Sequence, residues 1–263
     1  MKLSPKEKSI AFSVLLYIVA AIIAFLIWKF ADWTSIGRNF FDIEVMKDMF
    51  PKVITVGAKN TIIYTALSFA LGLFFALVLA MMRLSKNFAF RTFAVVYIEL
   101  FRGLPALITL IFVGFGIPIA FGWSIPGGVL GAGSLGLALV AGAYMAETIR
   151  AGIEAVPKGQ AEAARSIGMS RFQTMVTIIL PQAFRIIIPP LTNELVLLIK
   201  DTSLFFILGS TPMSKELTKF SRDFMSFERN PTPLTVAAIM YLLITLPLTF
   251  LVRRLEKSAA KAK

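Results

Sequence analysis

The chain has 263 residues, of which 57% are hydrophobic and 16% charged, and its mean hydropathy is +0.78. This composition is too apolar for a soluble domain, and it includes apolar windows of about 20 residues, long enough to cross a bilayer as helices. Cysteine and histidine are absent, which excludes disulfides, thiol chemistry and imidazole metal ligands. The net charge of +12 does not indicate nucleic-acid binding, because the basic residues flank apolar stretches, where lipid headgroups attract them.

The apolar windows predict an all-α membrane protein with six membrane-spanning helices. In chain order they cover residues 10–28, 57–82, 92–117, 134–150, 186–210 and 233–252. The first window follows the basic segment KLSPKEK, but it is too long for a signal peptide and no small-x-small cleavage site follows it. We therefore expect an uncleaved first helix, with Trp28 and Lys29 at the membrane interface.

The distribution of basic residues predicts the orientation. If the N-terminus is cytoplasmic, the segments 1–9, 83–91, 150–185 and 253–263 lie on the cytoplasmic side. These segments contain twice as many Lys and Arg residues as the opposite loops 29–52, 116–133 and 211–232. Because positive residues are retained in the cytoplasm, we expect both termini to be cytoplasmic.

The third window contains charges and a proline. Pro105 lacks a backbone N–H and clashes with the preceding turn, so the helix is expected to bend or break near Leu104. Glu99 and Arg102 are three residues apart, which allows either an internal ion pair or a place in the lining of a cavity. The uncharged, Gly- and Pro-rich segment 116–133 predicts an outward turn or a short re-entrant piece.

The segment 154–181 is more polar than its surroundings and predicts two short helices. Pro157 suits a helix start, and the residues from 160 to 167 favour helix. Gly168 is a natural stop, and Ser170 is placed to cap the next helix. Pro181 is expected to end that second helix. Pro189 and Pro190 are expected to bend the chain just inside the fifth span.

Residues 162–181, EAARSIGMSRFQTMVTIILP, match E-A-A-x₃-G-x₉-I-x-L-P at every fixed position. This pattern resembles the coupling segment of type I ABC importer permeases. The longer stretches GAYMAETIRAGIEAVPKGQAEAARSIG and LPQAFRIIIPPLTNELVLLIKDTSL are similar to the polar amino acid branch, the histidine/glutamine/arginine permeases. The resemblance implies that the ATPase-coupling residues are Gln160, Glu162, Ala163, Ala164, Arg165, Gly168 and Pro181.

The same resemblance implies a fold and a set of partners. A five-helix permease core (57–252, with the coupling segment 154–181) would follow an extra N-terminal helix and external loop (1–56) and precede a basic cytoplasmic tail (253–263). The pore would combine two permease subunits, identical or paralogous, with a cytoplasmic ATPase dimer and an extracytoplasmic amino acid-binding protein, in a bacterial inner membrane. The chain contains no G-x-x-x-x-G-K-[ST] sequence, so no cofactor is expected on it, and ATP-Mg would bind the partner ATPase.

The fifth window contains the candidate substrate residues. Ionisable residues within a span are costly and are functional candidates by default. Glu194 and Asp201 are seven residues apart and share a helix face, where two carboxylates suit the cationic groups of an amino acid. Asn193 and Ser203 would add neutral hydrogen bonds. In the alternative, Lys200 neutralises a carboxylate and the whole set serves helix packing and gating.

Two other classes compete with the permease hypothesis. An ion-coupled secondary transporter would use Glu194 or Asp201 as a proton or sodium site, but it would need inverted-repeat halves, which the sequence does not display. A membrane-embedded enzyme would need a nucleophile–base or metal constellation, and without Cys and His only scattered carboxylates remain. Neither class explains the segment 162–181.

Overall fold

A computed structural model describes residues 5–261, and all regular structure in this range is helical. The α-helices in chain order are α1 (Pro5–Phe30), α2 (Trp33–Phe40), α3 (Ile43–Met49), α4 (Lys59–Leu84), α5 (Phe88–Gly103), α6 (Ala106–Ile111), α7 (Ile117–Phe121), α8 (Val129–Glu154), α9 (Lys158–Ser166), α10 (Arg171–Gln173), α11 (Leu180–Asp201), α12 (Leu217–Glu228) and α13 (Thr232–Lys261). Wider π-helical turns lie at Val53–Ala58, Phe112–Gly116 and Thr174–Ile179, and a 3-10 helix lies at Thr202–Leu208. The outermost residues of the predicted segments 1–9 and 253–263 lie outside the described range.

The prediction of an all-α membrane fold is confirmed. Five helical segments are long and apolar enough to cross a bilayer, namely Phe12–Phe30, Val53–Leu84, Val129–Glu154, Arg171–Leu208 and Thr232–Lys257. A sixth span is formed if Phe88–Gly103 and Ala106–Phe121 count together, and this pair is bent by 106°. The break falls at Leu104 and Pro105, where the sequence placed it, because proline cannot continue the backbone hydrogen bonds of α5.

The centre of the fold is the contact between α4 and α8. A Cβ on Gly142 would lie 3.2 Å from the carbonyl oxygen of Gly72, and a Cβ on Gly72 would lie 3.3 Å from the carbonyl oxygen of Ala138. Small residues at a helix interface therefore let the two backbones approach closely, as is common in membrane bundles. Of the apolar window of α8, 67% is buried, compared with 0% for α1. The first helix is thus separate from the core, as the prediction of an extra N-terminal helix implies.

The two ends of the bundle can be distinguished by the short helices that they carry. We call the end with α9 the α9 end, and the end with α2, α3 and α12 the α12 end. The α12 end corrects the sequence prediction, which treated 29–52 and 211–232 as loops. Each of these short helices is capped by an acidic side chain: Asp32 accepts from Ser35 N, Asp42 from Glu44 N, and Glu216 from Lys219 N.

Glu216 is the most enclosed of these caps, at 1% exposure. Its carboxylate accepts hydrogen bonds from the backbone N–H groups of Thr218 and Lys219 (2.6 Å to the latter) and from the Tyr241 hydroxyl at 3.1 Å. Burial raises the pKa of Glu216 to about 7, although these hydrogen bonds act in the opposite direction. Glu216 therefore connects the start of α12 with α13 through a group that titrates near neutral pH.

The prediction that a helix ends at Pro181 is wrong. The helix does not end at Pro181 but runs without a break through Arg171–Leu208, over 38 residues. Pro181 lies in the first turn of α11, directly after the π-helical turn, where a missing N–H is tolerated. Pro189 and Pro190 lie inside α11, which continues past them.

The predicted boundaries also fall inside helical segments. Residue 56 lies within the π-helical turn Val53–Ala58, and residue 252 lies within α13. The fifth span, predicted to begin at 186, is part of the longer helix that starts at Arg171.

Candidate functional site

The segment 154–181 forms a helical hairpin at the α9 end. Helix α9 is preceded by Pro157 as its N-cap and ends at Ser166. Beyond it, Gly168 N donates to the carbonyl of Arg165 at 3.0 Å and Met169 N donates to that of Ala164 at 3.1 Å. These are the two hydrogen bonds of a Schellman motif, and Gly168 has a φ of +91°, a backbone conformation that favours glycine.

The helix after this turn begins with a capping box, as the sequence predicted for Ser170. Gln173 N donates to Ser170 Oγ at 3.2 Å, and Ser170 N donates to Gln173 Oε1 at 2.9 Å. The backbone groups at both sides of Gly168 are therefore satisfied within the segment. Its conformation is determined locally, by residues that are close in sequence.

The residues that the resemblance assigns to ATPase coupling are mostly exposed. Ala164 is the exception, because it is only 5% exposed. The exposed members are Gln160, Glu162, Ala163, Arg165, Gly168 and Pro181. Two large apolar side chains that sequence reasoning missed flank the Gly168 turn, Ile167 at 81% and Phe172 at 77% exposure. The hairpin thus presents polar and apolar groups together on one exposed surface.

Arg150 holds the end of α8 where the chain leaves for α9. Its guanidinium forms ion pairs with Glu147 and Glu154, and its Nε donates to Glu147 Oε2 at 3.0 Å. The second ion pair adds Glu154, so that three residues of the last two turns of α8 are linked ahead of the hairpin.

A cavity of about 500 Å³ lies between α5, α8 and α11. Its wall includes both candidate carboxylates of α11, Glu194 and Asp201, and the bent segment between α5 and α6. The lining residues are Arg102, Gly103, Leu104, Pro105, Ala106, Leu137, Val140, Ala141, Tyr144, Glu194, Leu197, Leu198 and Asp201. The two carboxylates, two helical turns apart, therefore face the same space, as their spacing predicted.

The other residues predicted near the substrate do not reach this cavity. Asn193 and Lys200 are exposed and lie outside its lining, and Ser203 is half-buried and also outside it. The reason is helical geometry, since Asn193 and Lys200 immediately precede Glu194 and Asp201 and are therefore rotated to another face of α11.

Arg102 lines the cavity from the end of α5. Its guanidinium lies over the Tyr144 ring, 5.6 Å from the centroid, and the Tyr144 hydroxyl donates to the Arg102 carbonyl at 3.3 Å. Of the two possibilities for the Glu99–Arg102 pair, the ion pair is not formed among the side chains described for residues 12–257. The signal for Arg102 was present in the sequence as a charge beside a proline break.

Residues 68–261 match the family model described as "Binding-protein-dependent transport system inner membrane component". The chain belongs to this family. It is therefore a membrane component of a transport system, and the family match favours the permease hypothesis over a secondary transporter or a membrane enzyme.

Similar proteins give the same assignment. The chain is 37% identical over 209 residues to a putative glutamine transport system permease protein, GlnP, of Rickettsia bellii, with 79% of this chain and 94% of that protein covered. It is 37% identical over 238 residues to the arginine transport system permease protein ArgU of Corynebacterium glutamicum, covering 86% of this chain and 74% of that one. A solved structure described as an amino acid ABC transporter with histidines superposes with a TM-score of 0.74 at 33% identity, over 82% of this chain and 98% of that chain. The predicted resemblance to polar amino acid ABC permeases is confirmed.

Proposed function

We propose that this permease subunit imports a polar or charged amino acid, driven by ATP that a separate ATPase subunit hydrolyses. The observation that carries the proposal is the hairpin around Gly168, an exposed and locally rigid surface in a chain that belongs to a transport family. An exposed hairpin with capped ends loses little conformational entropy when a partner binds it. Relatives named for glutamine and arginine transport support an amino acid as the cargo.

The α9 end faces the cytoplasm in this proposal. Twice as many Lys and Arg residues lie in the segments assigned to that side as in the opposite loops. The ATPase dimer, with its ATP-Mg, docks on the hairpin there. An extracytoplasmic binding protein delivers cargo to the α12 end, and a second permease subunit completes the pore.

The mechanism is alternating access. Closure of the ATPase dimer displaces the hairpin, with Glu162 as the polar contact in the ATPase groove. Because the helix that starts at Arg171 continues to the cavity, the displacement reaches Glu194 and Asp201, which bind the cationic groups of the amino acid. Opening of the cavity to the outside then admits cargo, and reopening of the ATPase dimer releases it inside.

Uptake by proteoliposomes tests this function. The permease is reconstituted with its ATPase and binding protein, and uptake of each of the twenty amino acids is measured with and without ATP inside. We expect ATP-dependent uptake of a polar or charged amino acid, and at least a roughly tenfold loss of uptake in Glu162→Ala, since hydrogen bonds to charged groups are worth about 1.5–3 kcal/mol. Glu256→Ala, an exposed carboxylate at the same end, is the control and should retain uptake.

The same assay separates the proposal from the secondary transporter. Uptake that follows a proton or sodium gradient and needs no ATPase would overturn the proposed function. Full uptake by Glu162→Ala would instead show that Glu162 is not part of the coupling surface, and ATP-driven import would remain supported.

A further inference from the structure

The lining of the cavity includes one basic side chain and two carboxylates. Arg102 stands on the wall formed by α5, whereas Glu194 and Asp201 stand on α11. Among the described side chains, Arg102 forms no ion pair, and its guanidinium rests on the face of the Tyr144 ring. A guanidinium that lies over an aromatic ring keeps its N–H groups free, because they point outward in the plane of the guanidinium, where they can bind an anion.

The position of Arg102 in a candidate span calls for a compensating partner. Arg102 is next to the last residue of α5, which is the first helix of the bent pair Phe88–Gly103 and Ala106–Phe121. This pair is apolar enough to form a membrane span, and an ionisable side chain within a span is costly unless it faces water or a partner. The cavity supplies that environment, and an anionic group of a ligand would supply the partner.

The backbone fixes where the guanidinium can go. The chain turns by 106° directly after Gly103, and the Tyr144 hydroxyl donates to the Arg102 carbonyl. This hydrogen bond attaches the last turn of α5 to α8, so that the base of the Arg102 side chain is held at the cavity wall. The contact with the Tyr144 ring places the guanidinium beside α8. Such preorganisation is what binding a planar carboxylate requires.

We propose that Arg102 binds the α-carboxylate of the amino acid, while the carboxylates of α11 face its ammonium group. The inference rests on the proposed function, because it names the contact that would recognise the backbone part of the cargo. An amino acid spanning the cavity in this orientation pairs each of its charges with an opposite one. Arg102 is thereby the residue that distinguishes an amino acid from an amine that lacks the carboxylate.

Ligand competition on the permease–ATPase complex tests this contact without the binding protein. Radiolabelled L-arginine and L-glutamine are bound to the complex in nanodiscs, and displacement by L-argininamide and L-glutaminamide gives the affinity of each amide relative to its parent acid. For the wild type, at least one acid should bind roughly tenfold or more tightly than its amide, because charge-assisted hydrogen bonds to a carboxylate are strong.

The variant Arg102→Gln should lose this preference by weakening binding of the acid about tenfold while leaving binding of the amide nearly unchanged. Arg102→Lys should keep part of the preference. Glu194→Gln serves as the matched control, because it should weaken acid and amide alike and so retain their ratio. The ratio separates a binding contact from a structural one, since a distorted cavity would weaken both ligands equally.

The outcomes that overturn the inference differ from those that overturn the function. A wild-type complex that binds neither acid, or an acid-to-amide ratio that Arg102→Gln leaves unchanged, rejects the role of Arg102. ATP-dependent uptake with the binding protein present would still support the proposed function in either case. Absence of ATP-dependent uptake for all twenty amino acids rejects the proposed function itself.

Discussion

At the α9 end, the hydrogen bonds that define the hairpin join residues three to five positions apart, such as Met169 N to the Ala164 carbonyl. At the α12 end, the local caps of α2, α3 and α12 are joined by hydrogen bonds between residues 150 or more positions apart. Asn60 donates to the carbonyls of Met213 and Lys215, Tyr64 donates to that of Ser214, and Leu217 N donates to Thr61 Oγ1. One end is encoded locally, and the other depends on the assembled bundle. Loss of a single group should therefore have larger consequences for stability at the α12 end.

The largest effect is expected from Glu216→Ala. The substitution removes the N-cap of α12, whose carboxylate accepts from the Lys219 N–H, at a cost of about 1 kcal/mol. It also removes the acceptor of the buried Tyr241 hydroxyl, which costs about 2 kcal/mol more. We expect the free energy of unfolding in mixed micelles to fall by about 3 kcal/mol. Asp48→Ala, an exposed acid at the same end, is the control and should change it little. Equal effects of the two substitutions would contradict the conclusion that buried hydrogen bonds stabilise the α12 end.

The pH dependence of the free energy of unfolding provides a second test of Glu216. The pKa of Glu216 is raised to about 7 by burial, so the folded protein binds this proton more tightly than the unfolded chain does. The raised pKa stabilises the folded protein fully at pH values below about 4.5, which is the pKa of this group in the unfolded chain. This stabilisation is lost as pH rises through about 7, and the free energy of unfolding falls by about 3 kcal/mol in total.

The difference in the free energy of unfolding between wild type and Glu216→Gln isolates the effect of Glu216 from that of other titrating groups. This difference should change when it is measured from pH 4 to 8. A difference that stays constant with pH would show that Glu216 does not titrate there.

Two glycines sharpen the comparison at the α9 end. A Cβ would meet no atom within 4 Å at Gly168 or at Gly159, but only Gly168 has a positive φ. Gly168→Ala should destabilise the hairpin by about 1 kcal/mol, whereas Gly159→Ala should stabilise α9 by about 0.5 kcal/mol. Hydrogen exchange of the amides in 164–173 should become faster in the first variant only. Because the motif is local, neither change should alter exchange in α12.

The smallest effect is expected from Tyr64→Phe. The ring, 5.2 Å from that of Phe205 between centroids, keeps its packing, and only the 2.6 Å hydrogen bond to the Ser214 carbonyl is lost. The free energy of unfolding should fall by about 1 kcal/mol. No measurable change in mixed micelles would indicate that water replaces the hydroxyl and that this tether contributes little.

The same contrast explains what the sequence predicts and what it does not. The turn at Gly168, the cap at Ser170 and the break at Pro105 follow from residue types within a few positions, and all three are found. The helices α2, α3 and α12 were expected as loops. For α3 and α12 the reason is that their apolar faces pack against segments far away in sequence, such as Leu217 with Met49 and Val53.

The candidate cavity was predictable only in part. The seven-residue spacing places Glu194 and Asp201 on one face of a helix, and the structure finds both in one wall. Tyr144 comes from α8 and meets Arg102 only through the packing of two helices, which a single sequence does not reveal. Pro181 was mistaken for a helix end because its tolerance depends on the π-helical turn before it.

The unbroken helix from Arg171 to Leu208 has a mechanical consequence. At 1.5 Å per residue, Glu194 lies about 35 Å from Arg171 along this rod. If the rod pivots near Arg171, a tilt of only about 5° moves Glu194 by about 3 Å, which is the length of one hydrogen bond. A rotation too small to disturb the packing of neighbouring helices is therefore enough to make or break a contact with a bound molecule.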